Sequence, residues 1–518
     1  MANSGERRRE IALVAFIVLA AFLFRYWHIT STGWVTDEKT FYLGMLHKNH
    51  SPLHFSDADT YDKLAQGFIK NGSLDLPFNP PLTSFLLIAI YKMFGKNFFA
   101  AKLFYAMLGS VSLVFVYVTA RLLFGRIAAA AASILCAASF TLIFIIGGLN
   151  IENVYLFTLS LSVCLFALLY TQTGMAGRRP YLFSFLFGLS AGCAALSRSE
   201  FLLILAAMFL FGFFKNGWSA KDKAVITVTV SLGIAVIITP WSARNYVYMK
   251  DFNERHPTAN LPLFVPLSLN GPFNFVEGHN PTANGTYAPA FAGKLEDGYR
   301  VAMNPNDERH LAYLRDGYAI GWDYIKNNPV REIELLPAKL NVFLNGFANG
   351  FMLANFPAGL YGGSESMADS FVPDSKAALY AGIILFAAGF AVLIVRGGSP
   401  IRFLPSIVIG AALLVTVAYY GLSRLAYPVL PYYYMVISVG AVFIAERFFI
   451  MKRLPKWFAS SVVALLIIAG FWQSRSFFVM HKKDIGPYGK FKLTPGSIIR
   501  WSNRFQSITA DNWKFSSF

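Results

Sequence analysis

The chain of 518 residues is 55% hydrophobic and 16% aromatic, with only 14% charged residues and a mean hydropathy of +0.48. Soluble domains carry about 25% charged residues, so the polar shell that several soluble domains of this total length need is missing. A soluble enzyme, a disordered protein and a nucleic-acid binder are excluded, because the formal charge of +17 sits mainly between apolar runs rather than on one exposed face.

The chain opens with Arg7-Arg8-Arg9 and an apolar run from Ile11 to Phe24, closed by Arg25-Tyr26-Trp27. No small-residue cleavage site follows, so the run reads as a first membrane helix rather than a signal peptide. Further apolar segments lie near 99–122, 127–147, 152–171, 181–197, 200–214, 224–240, 377–396, 403–420, 428–446 and 458–473. The expectation is an all-α polytopic membrane protein with about 11 spans; 181–214 reads either as a hairpin or as one broken span. Starting inside, the inner loops hold Arg121, Arg126, Arg178, Arg179, Lys215, Lys221, Lys223, Arg396, Arg402, Arg447, Lys452, Arg453 and Lys456. Only Arg198 and Arg424 fall on short outer connections, in keeping with the positive-inside rule.

The same assignment places residues 29–98, residues 241–376 and the tail 474–518 outside, so that 1–473 form one transmembrane domain carrying external loops. Within the middle segment, Asn270-Gly271-Pro272 and Gly278-His279-Asn280-Pro281 are turn signals, and 308–345 is helical in pattern with Pro329 and Pro337 as breakers. Asn71-Gly-Ser73 and Asn284-Gly-Thr286 match the glycosylation sequon and are read as turns. Cys136, Cys164 and Cys193 lie in apolar stretches without metal-ligand spacing and read as small buried hydrophobes.

An acidic residue just outside the bilayer suits a general base for a hydroxyl or amine acceptor, and the first outer loop supplies Asp57, Asp59 and, just after the first helix, Asp37-Glu38. The segment after Asp57 is amphipathic and suited to the membrane surface. Glu152 stands at the outer end of an apolar helix, where an acid is expensive unless paired or wet. Its reading is open between a helix N-terminal acid and a second carboxylate that assists the acceptor or holds a divalent cation through oxygen. Arg198, Arg244 and Arg424 all fall on the outer side, where guanidinium meets phosphate bidentately; the competing reading is interfacial snorkelling.

The run from Asp57 to Pro81, with Tyr61, Leu64-Ala65 and Pro80-Pro81, followed by Tyr91-Lys92-Met93-Phe94-Gly95, resembles the first external loop of GT-C glycosyltransferases that use lipid-linked sugars. The branch it is most similar to contains the protein O-mannosyltransferases and the lipid A aminoarabinose transferases. Later stretches agree in order and spacing: Leu149 to Asn153 with Tyr155; Gly192 to Leu196 with Ser197-Arg198; Thr239-Pro240-Trp241 with Arg244-Asn245; the two turns at 270 and 278; and Ser423-Arg424 with Tyr427-Pro428 and Pro431. The sequence departs from the family's pattern at Asn79, where relatives often carry a basic residue, and at Thr60, where some have Arg; Lys63 is a candidate replacement.

The resemblance implies a GT-C fold and transfer of a sugar from a polyprenyl-phosphate donor to a lipid, glycan or protein acceptor. Asp57 is implied as base, ahead of Asp59 and Asp37, with Arg198, Arg244, Arg424 and Lys63 on the donor phosphate and Tyr61, His279 and Asn280 at the sugar or acceptor. Inversion of the anomeric centre, a bacterial inner membrane, catalytic loops on the periplasmic side, contact with membrane lipids and no nucleic-acid partner complete the expectation; a divalent cation is left open. The rival class is a transporter or lipid flippase. Transporters tend to show repeats and polar residues near the midplane, whereas here polar residues gather at one face.

Overall fold

The computed structural model describes residues 4–31, 58–72, 74–172, 179–285, 308–351 and 375–448. Asp37, Glu38, Asp57 and the apolar segment 458–473 lie outside the described residues, and Asp59 is described in its backbone alone. The described residues form helices without a β-strand.

In chain order these are α1 (Ser4–Ser31), α2 (Ala58–Asn71), α3 (Leu82–Phe94), α4 (Phe98–Phe124), α5 (Arg126–Ala138), α6 (Phe140–Phe144), α7 (Ile151–Thr171), α8 (Arg179–Ser197), α9 (Phe201–Phe213) and α10 (Ala220–Arg255). They continue with α11 (Asn270–Gly278), α12 (Glu308–Asn327), α13 (Pro329–Phe351), α14 (Ser375–Val395), α15 (Leu404–Ala418) and α16 (Leu430–Phe448). Three 3-10 turns, Ile145–Gly148, Pro400–Phe403 and Ser423–Val429, join them.

Among the described residues, 7 helices are long and apolar enough to cross a membrane, and 4 shorter apolar helices accompany them. The chain is an integral membrane protein; of the 11 expected spans, 458–473 lies outside the described residues, and 7 helices among those described reach spanning length. The segment 127–147 is not one helix, since the chain leaves α-geometry at Ser139 and continues as α6 and a 3-10 turn. The stretch 181–214 resolves into two helices, α8 and α9, separated at Arg198–Glu200.

The other corrections concern proline and turn signals. Helix α10 runs through Pro240 to Arg255, well past the expected exit at 241, and α13 runs through Pro337. Proline removes one backbone donor but leaves the rest of a long ladder standing, and α10 is secured at its start by a Ser219–Asp222 capping box. Pro329 does separate α12 from α13. Asn270-Gly271-Pro272 is not a turn but the first turn of α11, where a proline costs no intrahelical bond.

The membrane core is a bundle in which α4 packs on α1, α5 and α7, α8 lies between α7 and α10, and α16 joins α5 to α14. Helices α8 and α10 approach through glycine: a Cβ on Gly188 would stand 2.3 Å from the Val230 carbonyl oxygen. A second, smaller core gathers the last turns of α10 (Met249, Phe252), the connection Leu261–Leu269, Phe273 of α11 and Leu311 and Leu314 of α12. This layer caps one end of the bundle, and the charged site lies at that end.

Candidate functional site

The site begins at the start of α7. Leu149, fully buried, adopts a left-handed φ of +48°, a conformation costly for a branched side chain and held here by packing. The turn it makes sends the chain into α7, whose second residue is Glu152, 1% exposed. A carboxylate that deep needs a cation. It has two: Arg198 Nη1 at 3.4 Å and Arg424 Nε at 3.5 Å, both on Oε1. Among the described residues, Glu152 Oε2 is buried without a hydrogen-bond donor.

Each arginine reaches Glu152 from an interruption in a helical run. Arg198 lies in the break between α8 and α9; its own N–H still donates to Ala194 and its carbonyl accepts from Phe201 N. Its Nε pairs with Glu200 at 2.5 Å, and the guanidinium stands over the Tyr155 ring at 5.7 Å. Burial opposes the charge on Arg198, but Glu200 and Glu152 outweigh it and raise its pKa. Arg424 lies in the 3-10 turn between α15 and α16 and is less enclosed, at 28% side-chain exposure against 13% for Arg198.

Arg244 is held differently. It donates to the Asp75 carbonyl (2.9 Å) and to Asn245 Oδ1 (3.2 Å), and stands over the Trp241 and Tyr248 rings at 5.3 and 4.5 Å. Tyr61 is buried and Lys63 exposed on α2. The segment is anchored by buried Asp62, which accepts from Tyr91 Oη at 2.7 Å and from Gln66 at 2.6 Å. Asn280 spends its side chain on the turn: its amide donates to the Val276 and Glu277 carbonyls, and its oxygen accepts from Thr282 N and Oγ1.

His279, only 4% exposed, belongs to a cluster. Its Nδ1 lies 2.8 Å from Glu332 Oε2 and its Nε2 2.8 Å from the Ala418 carbonyl oxygen. Lys339 Nζ stands 3.8 Å from the same Glu332 oxygen and donates to the Val417 carbonyl at 3.1 Å. Burial pulls the His279 pKa below its ordinary value, with Ala418 and Glu332 opposing, and likewise lowers that of Lys339.

The structure thus brings Glu152, Arg198 and Arg424 together, and sequence reasoning missed Glu200, Glu332, Lys339 and Asp62. Glu200 carried a signal: an acid two positions from Arg198 inside an otherwise apolar stretch. Among the described residues no group of three His, Cys, Asp or Glu is gathered for a metal ion.

Superposition on solved structures decides the architecture. The oligosaccharyltransferase of Archaeoglobus fulgidus in its apo form matches with a TM-score of 0.51 at 12% identity, over 98% of this chain and 58% of that one. The fold is the GT-C fold. The archaeal oligosaccharyltransferase AglB in complex with an inhibitory peptide and a dolichol-phosphate matches the GT-C chain at a TM-score of 0.50 and 12% identity, covering 99% and 59% of the two chains. The chain therefore spans less than two thirds of the length of these relatives. ArnT from Cupriavidus metallidurans aligns more loosely, with a TM-score of 0.36 and 14% identity over 87% of this chain and 81% of that one. The family model for dolichyl-phosphate-mannose-protein mannosyltransferase matches residues 78–243, less than half of the chain. No curated protein sequence matches.

Proposed function

We propose that the protein is a membrane glycosyltransferase that moves a sugar from a polyprenyl-phosphate donor to an acceptor on the external face of the membrane. The observation that carries this reading is the convergence of Arg198 and Arg424 on buried Glu152 within a GT-C fold. Breaking a glycosidic bond to a lipid phosphate builds negative charge on the leaving phosphate, and preorganised guanidinia are the groups that stabilise it. Glu152 Oε1 meets one nitrogen of each arginine, and Arg198 is also held by Glu200; each guanidinium has five N–H donors.

In this mechanism a carboxylate of the first outer loop, assigned to Asp57, accepts the acceptor's proton as its oxygen or nitrogen bonds to the anomeric carbon. The bond from that carbon to the phosphate oxygen breaks, and the phosphate leaves with the electron pair. A single displacement of this kind inverts the anomeric centre. Arg198 and Arg424 meet the phosphate, with Arg244 and Lys63 as further cations of the donor site. The acceptor class is a lipid, glycan or protein, and the setting is a bacterial inner membrane with the loops on the periplasmic side.

The test is transfer from a polyprenyl-phosphate sugar by purified protein carrying Asp57→Asn, with Asp37→Asn and Asp59→Asn in parallel. Asp57→Asn is expected to abolish transfer and keep donor binding. Full activity there with loss in Asp37→Asn moves the base to Asp37; full activity in all three refutes the mechanism.

A further inference from the structure

We propose that the Lys339–Glu332–His279 cluster is a set of positioning residues that holds Arg424 against Glu152, coupling α12, α13 and the turn after α11 to the charged site. The inference rests on the glycosyltransferase reading for its kinetic consequences and on geometry alone for its mechanical ones.

The last carbonyls of a helix have no partner within it. At the end of α15 these include Val417 and Ala418, which accept from Lys339 Nζ of α13 at 3.1 Å and from His279 Nε2 at 2.8 Å. The two donors converge on one carboxylate oxygen, Glu332 Oε2. The Ala418 carbonyl can only accept, so His279 donates to it through Nε2–H while Nδ1 faces Glu332.

Tyr419 and Gly421 are fixed as closely. Tyr419 packs its ring on Phe275 (centroids 5.6 Å apart) and brings its hydroxyl 3.3 Å from that of Tyr318 on α12. Gly421 N donates to the Gly285 carbonyl at 2.8 Å. The backbones touch directly, since a Cβ on Gly278 would lie 2.2 Å from the Tyr419 carbonyl oxygen and one on Gly421 2.5 Å from that of Lys339. Three residues beyond Gly421 stands Arg424, a reach of about 10 Å in the most extended chain. The 3-10 turn Ser423–Val429 that carries it packs on both α13 and α7. Arg424 contacts Glu152 from a segment in which Val417, Ala418, Tyr419 and Gly421 are held by α12, α13 and the stretch from α11 to Gly285. A shift of these elements therefore moves the arginine.

The experiment compares Lys339→Met, Glu332→Gln and Lys339→Arg with wild type, using full-length protein in nanodiscs. The first readout is hydrogen exchange over 415–430. Lys339→Met and Glu332→Gln are expected to raise exchange there at least tenfold and leave α4 and α7 unchanged, while Lys339→Arg keeps most protection. The second readout is transfer from a polyprenyl-phosphate sugar. Lys339→Met is expected to lower kcat ten- to a hundredfold, with Lys339→Arg restoring most of it, and to add no further loss in combination with Arg424→Lys. Unchanged exchange in 415–430, exchange raised uniformly over all helices, or losses that multiply with Arg424→Lys would each overturn the proposal. Wild-type protein without transferase activity would sink the glycosyltransferase reading, and the exchange arm would still decide this one.

Discussion

Replacing Glu152 by glutamine removes one charge while keeping the shape of the side chain. Each arginine stands about 3.5 Å from Oε1, so at an effective dielectric constant of about 20 each pair is worth roughly 5 kcal/mol before any cost is subtracted. The carboxylate's desolvation and the mutual repulsion of the two guanidinia take back a large part. Breaking a buried pair by removing one partner costs about 3–5 kcal/mol net, and the low end applies because the glutamine oxygen still accepts one bond. We expect a loss of about 3 kcal/mol in chemical denaturation of the purified protein. If the displaced arginines act on the leaving phosphate, the same sum appears in the barrier as a fall in kcat of about a hundredfold. A variant with unchanged stability and unchanged kcat would refute the role of Glu152 as holder of the arginines. A loss beyond about ten-thousandfold with intact stability would also refute it, because that is the signature of a removed base rather than of misplaced cations.

Two further outcomes follow from contacts away from Glu152. Gly188→Ala places a methyl group 2.3 Å from the Val230 carbonyl and is expected to destabilise the bundle by about 1–3 kcal/mol, read as a lower thermal midpoint; a midpoint at the wild-type value would mean that α8 and α10 do not pack this closely. Arg244→Lys keeps the charge but loses the ring contacts with Trp241 and Tyr248 and the hydrogen bonds to the Asp75 carbonyl and Asn245 Oδ1, so stability is expected to fall by about 1 kcal/mol and the donor KM to rise; an unchanged KM would remove Arg244 from the donor site.

The helices were legible because membrane burial demands an unbroken apolar composition, which one strand of sequence displays without knowledge of its neighbours. Proline misled at 240 and 337 for the converse reason: whether a helix survives a lost donor depends on the ladder around it, and in α10 that ladder spans 36 residues. Glu152, Arg198 and Arg424 were legible as exceptions, an acid in apolar surroundings and two cations on the sparsely charged side. Their meeting was not, because residues 46 and 272 positions apart are joined only by the packing of α7 against α8 and the 3-10 turn.

His279 shows why a residue can be singled out correctly and its surroundings remain hidden. A histidine beside Asn and Pro in a polar segment has the composition of a ligand-facing turn, and nothing local distinguishes that from burial. What decides its environment is Glu332, 53 positions later, and the open carbonyl of Ala418, 139 positions later. Neither carries a local signature, since Glu332 sits in the first turn of an ordinary amphipathic helix and a carbonyl is common to every residue. The basic excess divides along the same line. Arginines between apolar runs can be read from their positions, although Arg121 and Arg396 also pair at the surface with Glu10 and Glu446. Arg198, Arg424 and Lys339 act through shared carboxylates, and each is intelligible only with the acid that another part of the chain supplies.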